Sequence, residues 1–449
     1  MDRTPSVHKP AFRTDGKGQP KTGRVKASGG LRVSPKRAPS SGQPVNLRAR
    51  AALLLGEILD RRQSLKRVLQ KEQEKLSRDE DRALLREMVA GVIRHLPFID
   101  WALEENTKRG LADTQAELLE ILRVGAFQIL FLDRVPAYAA VDQCVEAAKV
   151  LNPGAGGFVN GILRSLAERR EDILEAPYCF DGEEGDALKL GMPRWLIRRY
   201  EERFGKDEAE ALLTALQKPA ATTLVFPSAG AASQASSILM REGYLLRPDP
   251  ILPLTCSVER GNPSASAAFQ RGLFYIMDPA SQSPAALLPL ENVERVLDLC
   301  AAPGGKTILL ANRLASKGWV LATDLNPRRL GHVAENIGRL GLKNVRLAQV
   351  NVEAGLPFKA DWPAVILDAP CSSMGTLRRN PEIRWQVVPE AFRAHADRQH
   401  VFLHQASRAV APGGILAYSV CSIEPEETRE VTLRFLESHE DFKPLKLAP

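Results

Sequence analysis

The chain has 449 residues, 44% apolar and 26% charged, which is enough core-forming material for roughly two to four domains and excludes a wholly disordered protein. No run of about 18 uncharged apolar residues occurs and the N-terminus lacks an apolar leader core, so neither a membrane span nor secretion is expected. The formal net charge is +7, but ten basic and two acidic residues place +8 in residues 1–46 and leave −1 for the other 403. That segment, rich in Gly, Pro and Ser, cannot bury enough apolar area to offset its ordering entropy and is expected to be a disordered basic tail. It reads either as a polycation drawn to phosphate backbones or as a solubilising extension. Six scattered cysteines (144, 179, 256, 300, 371, 421), with no C-x-x-C pair, read as free thiols and not as a metal framework.

From Asn46 the pattern turns helical. Leu54, Ile58 and Leu59, then Leu65, Val68 and Leu69, recur at three-to-four-residue spacing. Further helices are predicted near 78–94, 96–108, 113–132, 136–151 and 156–170, separated by turn formers such as Pro97, Gly110 and Asn152-Pro153-Gly154. Residues 47–172 therefore read as an all-α bundle. Its basic side chains near helix ends (Arg61, Arg62, Lys66, Arg67, Arg164, Arg169, Arg170) are either a solvated face or contacts to an acidic partner.

Residues 173–285 read as a linker and a small α+β connecting domain. Periodicity fades over 172–190 while Glu183, Glu184 and Asp186 accumulate, as in a loop. Helices follow at 194–204, 207–217 and 230–242, with short strands at 222–226, 244–246 and 273–277.

From residue 286 to 449 strands and helices alternate: VLDLC (296–300), WVLAT (319–323), VRLAQV (345–350), AVILDA (364–369) and GILAYSV (414–420), with helices to about 315 and at 327–341, 389–410 and 425–437. This alternation specifies a parallel α/β sheet covered on both faces, with its ligand beyond the carboxyl ends of the strands. All the motifs fall at such ends.

The first is DLCAAPGGKT, 298–307. A strand ending in a Gly-rich turn that opens a helix lets backbone approach a ligand and aims helix N–H groups at it. A phosphate-wrapping P-loop needs a glycine where Cys300 stands. An adenosyl cofactor instead needs an acid at the end of the next strand for its ribose, and Asp324 lies there, 19 residues after Gly305. A tight strand–helix turn without a ligand is the plain alternative. DAPCSSMG (368–375) and YSVCS (418–422) each put a cysteine at a strand end. Buried cysteine is commonly inert, but two at neighbouring ends, one near Asp368, point to a reactive thiol. Ser422-Ile423-Glu424-Pro425 reads as a helix start, so that helix, with Lys306, Arg378 and Arg379, is expected to favour a thiolate at Cys421.

An adenosyl donor beside a thiolate suits one reaction above others. Oxygen, nitrogen and sulfur acceptors already have lone pairs, whereas the C5 carbon of a pyrimidine becomes nucleophilic only after a thiolate adds to C6. A carboxyl at the ring N3 edge favours the addition, and Asp368 is the candidate. A second thiol serves acid–base release, and the base must leave its stack to be reached. The residues alone do not order the two thiols.

CAAPGGKT, DAPCSS with TLRRNPEIRW, and YSVCSIEPEE resemble the signature blocks of the RsmB/Sun family of RNA cytosine-C5 methyltransferases. Residues 135–166 resemble the NusB-type RNA-binding domain at the front of its 16S ribosomal-RNA members, and DPASQSPAALL (278–288) is also similar to that family. The resemblance covers about 47–440. It implies three parts: an N-terminal NusB-like bundle, a small α+β connecting domain and a C-terminal Rossmann-like class I methyltransferase. It implies that Cys300, Ala301, Ala302, Pro303, Gly304, Gly305, Lys306 and Asp324 bind S-adenosylmethionine, with Asn351 and Asp368 completing the pocket. It also implies Cys421 as nucleophile and Cys371 as release residue, acting at cytosine 967 of 16S rRNA in the family's reference numbering.

Three departures stand out. Asn351 replaces the usual acid; TTLVFP (222–227) lacks the Arg and Asn common in relatives; and FKPLKLAP reads as a shortened start of the usual C-terminal strand pair. The implied partner is RNA, free or in an early small-subunit particle, for a cytoplasmic monomer. The rivals are the same chemistry on tRNA or another rRNA site, and a non-catalytic RNA-binding assembly factor. His395, His400 and His404 share a predicted helix without the H-E-x-x-H acid, so no metal is expected. Trp385 either stacks on an unpaired base or packs in a core.

Overall fold

The computed structural model describes residues 46–107, 110–180, 182–259 and 261–446; the basic tail, apart from Asn46, lies outside these described residues. Two compact units form, one from residues up to Lys218 together with Leu377–Gln386, the other from Pro219–Thr376 and the chain from Val387 onward.

The first unit is helical. Leu47–Leu59 opens at Asn46, whose side-chain oxygen accepts from Arg48 N at 2.8 Å and Ala49 N at 3.3 Å. It packs with Leu65–Gln73, Asp79–Arg94, Leu96–Glu105, Ala116–Phe131, Ala137–Leu151 and Gly156–Glu168. Ala116–Phe131 is buried over most of its circumference, so it forms the centre of the bundle. Gly91 lets it come close: a Cβ there would sit 2.0 Å from the Phe127 ring.

Residues 172–190, expected as a loop, are instead mostly helical. Arg170–Glu175, a 3₁₀ turn at Ala176–Cys179 and Gly182–Leu190 lead into Arg194–Phe204 and Lys206–Gln217. Leu188 joins the core, while Glu183 and Glu184 pair with Arg198 and Arg194, so the acids are the outer face of a helix. Ten residues from far along the chain complete this unit. Glu382 Oε1 accepts from Leu65 N at 2.9 Å, Trp385 Nε1 donates to Ile93 O at 2.8 Å, and the fully buried Arg384 donates to Gly191 O and Gln217 Oε1. Trp385 is thus committed to the core of this unit rather than to stacking on a base.

The second unit carries two sheets. β1 (Thr222–Val225), β2 (Leu246–Pro248), β3 (Thr255–Val258) and β4 (Tyr275–Ile276) form a small antiparallel sheet in the order β2-β3-β1-β4; β3 is an addition to the sequence reading. β5 (Arg295–Leu299), β6 (Trp319–Asp324), β7 (Val345–Gln349), β8 (Trp362–Asp368) and β9 (Val410–Ser419) form a wholly parallel sheet in the order β7-β6-β5-β8-β9. Helices Gly305–Leu314, Pro327–Arg339 and Pro389–Ser407 link successive strands. The order reverses between β5 and β8, and such a switch point opens a crevice at the carboxyl ends of the strands. After β9 the chain makes a 3₁₀ turn at Pro425–Glu427, and the last helix starts only at Arg429, four residues later than expected. His404 Nδ1 meets His439 Nε2 at 3.0 Å, so this histidine pairs with the one that caps the last helix.

Candidate active site

β5 ends at Leu299, and Cys300 turns the chain with φ 59°. Ala301 N donates to Thr323 O of β6 at 2.8 Å, and Gly304, at φ 103°, accepts the left-handed conformation that the start of helix Gly305–Leu314 requires. The turn therefore presents backbone without a Cβ at Gly304, on a helix N-terminus. Beneath it Asp298 is fully buried; Thr307 Oγ1 donates to one oxygen at 2.6 Å, and burial raises its pKa to about 7. Burial also raises the Cys300 thiol to about 12, so it favours the neutral thiol near pH 7.

Asp324 closes β6. Its Oδ1 accepts from Asn326 N at 2.9 Å; its Oδ2 accepts from Ala302 N at 3.4 Å and lies 3.4 Å from Arg329 Nη1. Arg329 Nη2 also donates to the Ala302 carbonyl at 2.6 Å, pinning turn and carboxylate together. The carboxylate is only 3% exposed yet keeps lone pairs for further donors, which suits the hydroxyls of an adenosine ribose. Asn351 lies two residues beyond β7, exposed, its side-chain oxygen accepting from Glu353 N at 3.1 Å.

Asp368 ends β8 and Ser419 ends β9. Ser419 Oγ donates to Asp368 Oδ1 at 2.8 Å, and Lys306 Nζ lies 2.7 Å from Asp368 Oδ2, so one carboxylate ties three strand ends into a single site. Beyond it Cys371 Sγ and Cys421 Sγ stand 3.0 Å apart, with Ser373 Oγ 3.3 Å from Cys421 Sγ. The two thiols are not equivalent. The hydrogen bond from Cys371, reinforced by Ser373 and by the Lys306 charge, lowers Cys421 to about 7 against its own burial and the Asp368 charge. Cys371 is driven up by that same bond, by burial and by the charge of Glu427. The surroundings thus favour ionisation of Cys421 and retention of the proton by Cys371.

The cause differs from the one expected. The segment expected to open a helix after Cys421 is a 3₁₀ turn at Pro425–Glu427, and the helix itself begins at Arg429. Arg378 and Arg379 fold with the helical unit, where Arg378 Nε donates to Lys218 O at 3.1 Å and its carbonyl accepts from Arg94. Sequence reasoning also passed over Ser373, Ser419, Glu427 and Arg329. Ser373 and Ser419 each stand two positions from a cysteine, in C-S-S and S-V-C, and that proximity is the available signal.

A doubly covered parallel sheet with a Gly-rich first turn, a buried acid after the second strand and reactive groups after the fourth and fifth strands defines a Rossmann-like group-transfer enzyme. Comparison with known proteins narrows that class. Residues 285–448 match the family model "16S rRNA methyltransferase RsmB/F", and residues 45–168 match the NusB family. "Ribosomal RNA small subunit methyltransferase B" of Proteus mirabilis (strain HI4320) is 33% identical, over 88% of this chain and 92% of that protein. Its namesake in Yersinia pestis bv. Antiqua (strain Angola) is 32% identical, over 88% and 90%. The solved structure of PH0851 superposes with a TM-score of 0.72 at 25% identity, covering 91% of this chain and 93% of the other. The chain belongs to the RsmB/F family of ribosomal-RNA methyltransferases, with a NusB-family domain at its front.

Proposed function

We propose that this protein uses S-adenosylmethionine to make 5-methylcytosine in 16S ribosomal RNA through a covalent bond between Cys421 and C6 of the target base. The carrying observation is the pair of sulfurs 3.0 Å apart, with Cys421 the partner whose pKa its surroundings lower to about 7. Methylation at an atom with its own lone pair needs neither thiol.

S-adenosylmethionine, when bound, supplies an electrophilic methyl group. The turn from Cys300 to Lys306 and the carboxylate of Asp324 would hold it, with the Asn351 amide as a further polar group of the pocket. Asp368, braced by Lys306 and Ser419, takes the N3–N4 edge of the flipped cytosine and sets the ring against the sulfurs. The Cys421 thiolate adds to C6, the C5=C6 pair moves onto C5, and C5 takes the methyl. Loss of the C5 proton then restores the double bond and expels Cys421. Cys371, at contact distance and freed to ionise once Cys421 is bonded to C6, takes that C5 proton, and the C6–S bond pair leaves on Cys421 as thiolate. The NusB-type domain holds the RNA, in the cytoplasm.

The test is tritiated methyl donor with undermethylated small-subunit RNA. The reading expects label in 16S RNA at C5 of a cytosine. Cys371→Ala should accumulate a protein–RNA adduct that survives denaturant, while Cys421→Ala forms none. Label only in tRNA would move the substrate elsewhere, absence of label would leave an RNA-binding factor, and an adduct from Cys421→Ala alone would exchange the two thiols.

A further inference from the structure

The two sulfurs belong to loops 50 residues apart, and two thiols set toward one another need something to hold them there. Directly behind them lies a polar cluster that the reaction does not consume. Glu427 is fully buried, and its Oε1 accepts from the backbone N–H of Ser372 at 2.8 Å and from Gln399 Nε2 at 3.0 Å. Its Oε2 accepts from the Ser372 hydroxyl, which lies 3.2 Å from the Ser422 hydroxyl. Ser372 follows Cys371 and Ser422 follows Cys421, so one carboxylate reaches both cysteine loops. Gln399 Nε2 also donates to Pro370 O at 3.0 Å, and Tyr418 OH bridges Gln399 and the Glu427 carbonyl. A buried carboxylate with this many donors is costly to keep unless its geometry matters.

We propose that Glu427 is a positioning residue for the reaction: through Ser372 and Ser422 it clamps the Cys371 loop to the Cys421 loop, so that the Cys371 thiol stays aimed at the Cys421 sulfur. The clamp adds a link to the Gly375 N–H, which donates to Cys421 O at 3.0 Å. Glu427 touches neither sulfur in the described hydrogen bonds; it acts through the serines. Its charge also faces Cys371, while Lys306, Asp368 and Ser373 face Cys421. The proposal rests on Cys421 being the nucleophile, yet the clamp is measurable without any methyl transfer.

The measurement is the pH dependence of Cys421 alkylation by iodoacetamide on the full chain, read by mass analysis of its peptide. The intact protein should react with a midpoint near 7. In Glu427→Ala the midpoint should climb toward the ordinary thiol value of about 8.5. Its kcat for methyl transfer should fall on the order of 100-fold while the KM for the donor holds. Glu427→Gln keeps a carbonyl for the Ser372 N–H and an amide for its hydroxyl, so it should restore most of both. Folded Glu427→Ala with an unmoved midpoint overturns the clamp. Equal shifts in the Ala and Gln variants also overturn it, since charge and not position would then be the cause. If Glu427→Ala does not fold, Ser372→Ala reads the same bond: a raised midpoint supports the clamp and an unchanged one overturns it. A shifted midpoint together with no adduct from Cys371→Ala would keep the clamp and reject the C5 chemistry.

Discussion

Cys371 and Cys421 are one residue type at two neighbouring strand ends, and they differ only in what surrounds them. Lys306 and Ser373 favour a negative charge on Cys421, whereas burial and Glu427 oppose it on Cys371. Asp324 is specialised in the same way. It is a buried acid held by two backbone N–H groups, with Arg329 3.4 Å from Oδ2, and further acceptor capacity remains. Asp324→Asn removes charge-assisted bonds worth about 1.5–3 kcal/mol to a hydroxylated ligand. Calorimetry should show donor binding weakened roughly tenfold to hundredfold, while the Cys421 alkylation midpoint stays near 7. Unchanged donor affinity would remove Asp324 from the pocket.

At the scale of elements, the turn between Asp79–Arg94 and Leu96–Glu105 carries a pH-sensitive residue. His95 stacks on Phe131 with ring centroids 4.2 Å apart, and burial, aided by the charges of Arg94 and Arg384, lowers its pKa to about 4. In the unfolded chain the ring takes a proton near pH 6.5. Neutral His95 therefore contributes fully above 6.5, and that contribution is lost as pH falls toward 4, since the unfolded state then binds the extra proton. A pKa lowered from 6.5 to about 4 is worth up to about 3 kcal/mol. His95→Phe, which retains the stack, should flatten the acid limb of the helical unit's stability in urea titrations between pH 4 and 6.5. An equally steep limb in the variant would place the sensitivity elsewhere.

The whole molecule interleaves its two units along the chain, because Leu377–Gln386 leaves the methyltransferase half and folds into the helical one. There it caps Leu65–Gln73 through Glu382 and buries Arg384 completely. A fragment starting at Pro219 would keep this strip but lose every helix it binds. Trypsin should then cut that fragment rapidly after Arg378, Arg379 and Arg384, while the full chain resists at these bonds. Equal resistance in both would show that the strip orders itself. The helical pattern of 47–170, the alternation after 295 and the motif-bearing strand ends were all legible, because each is set by residues within a few positions of one another. The stretch 172–190 misled because acids on the outer face of a short helix look locally like a loop. Trp385 was undecided for another reason: its partner, Ile93, lies 292 residues away.

Local chemistry written into the chain determined three things: a strand–turn–helix that offers backbone to a ligand, an acid after the next strand, and a cysteine at each of two later strand ends. Only the tertiary structure decided that those cysteines meet at 3.0 Å, that their surroundings favour ionisation of Cys421 over Cys371, and that a serine–glutamate cluster backs them both. Strand order and burial set these outcomes. They arise from residues 50 or more positions apart, whose encounter no local periodicity encodes.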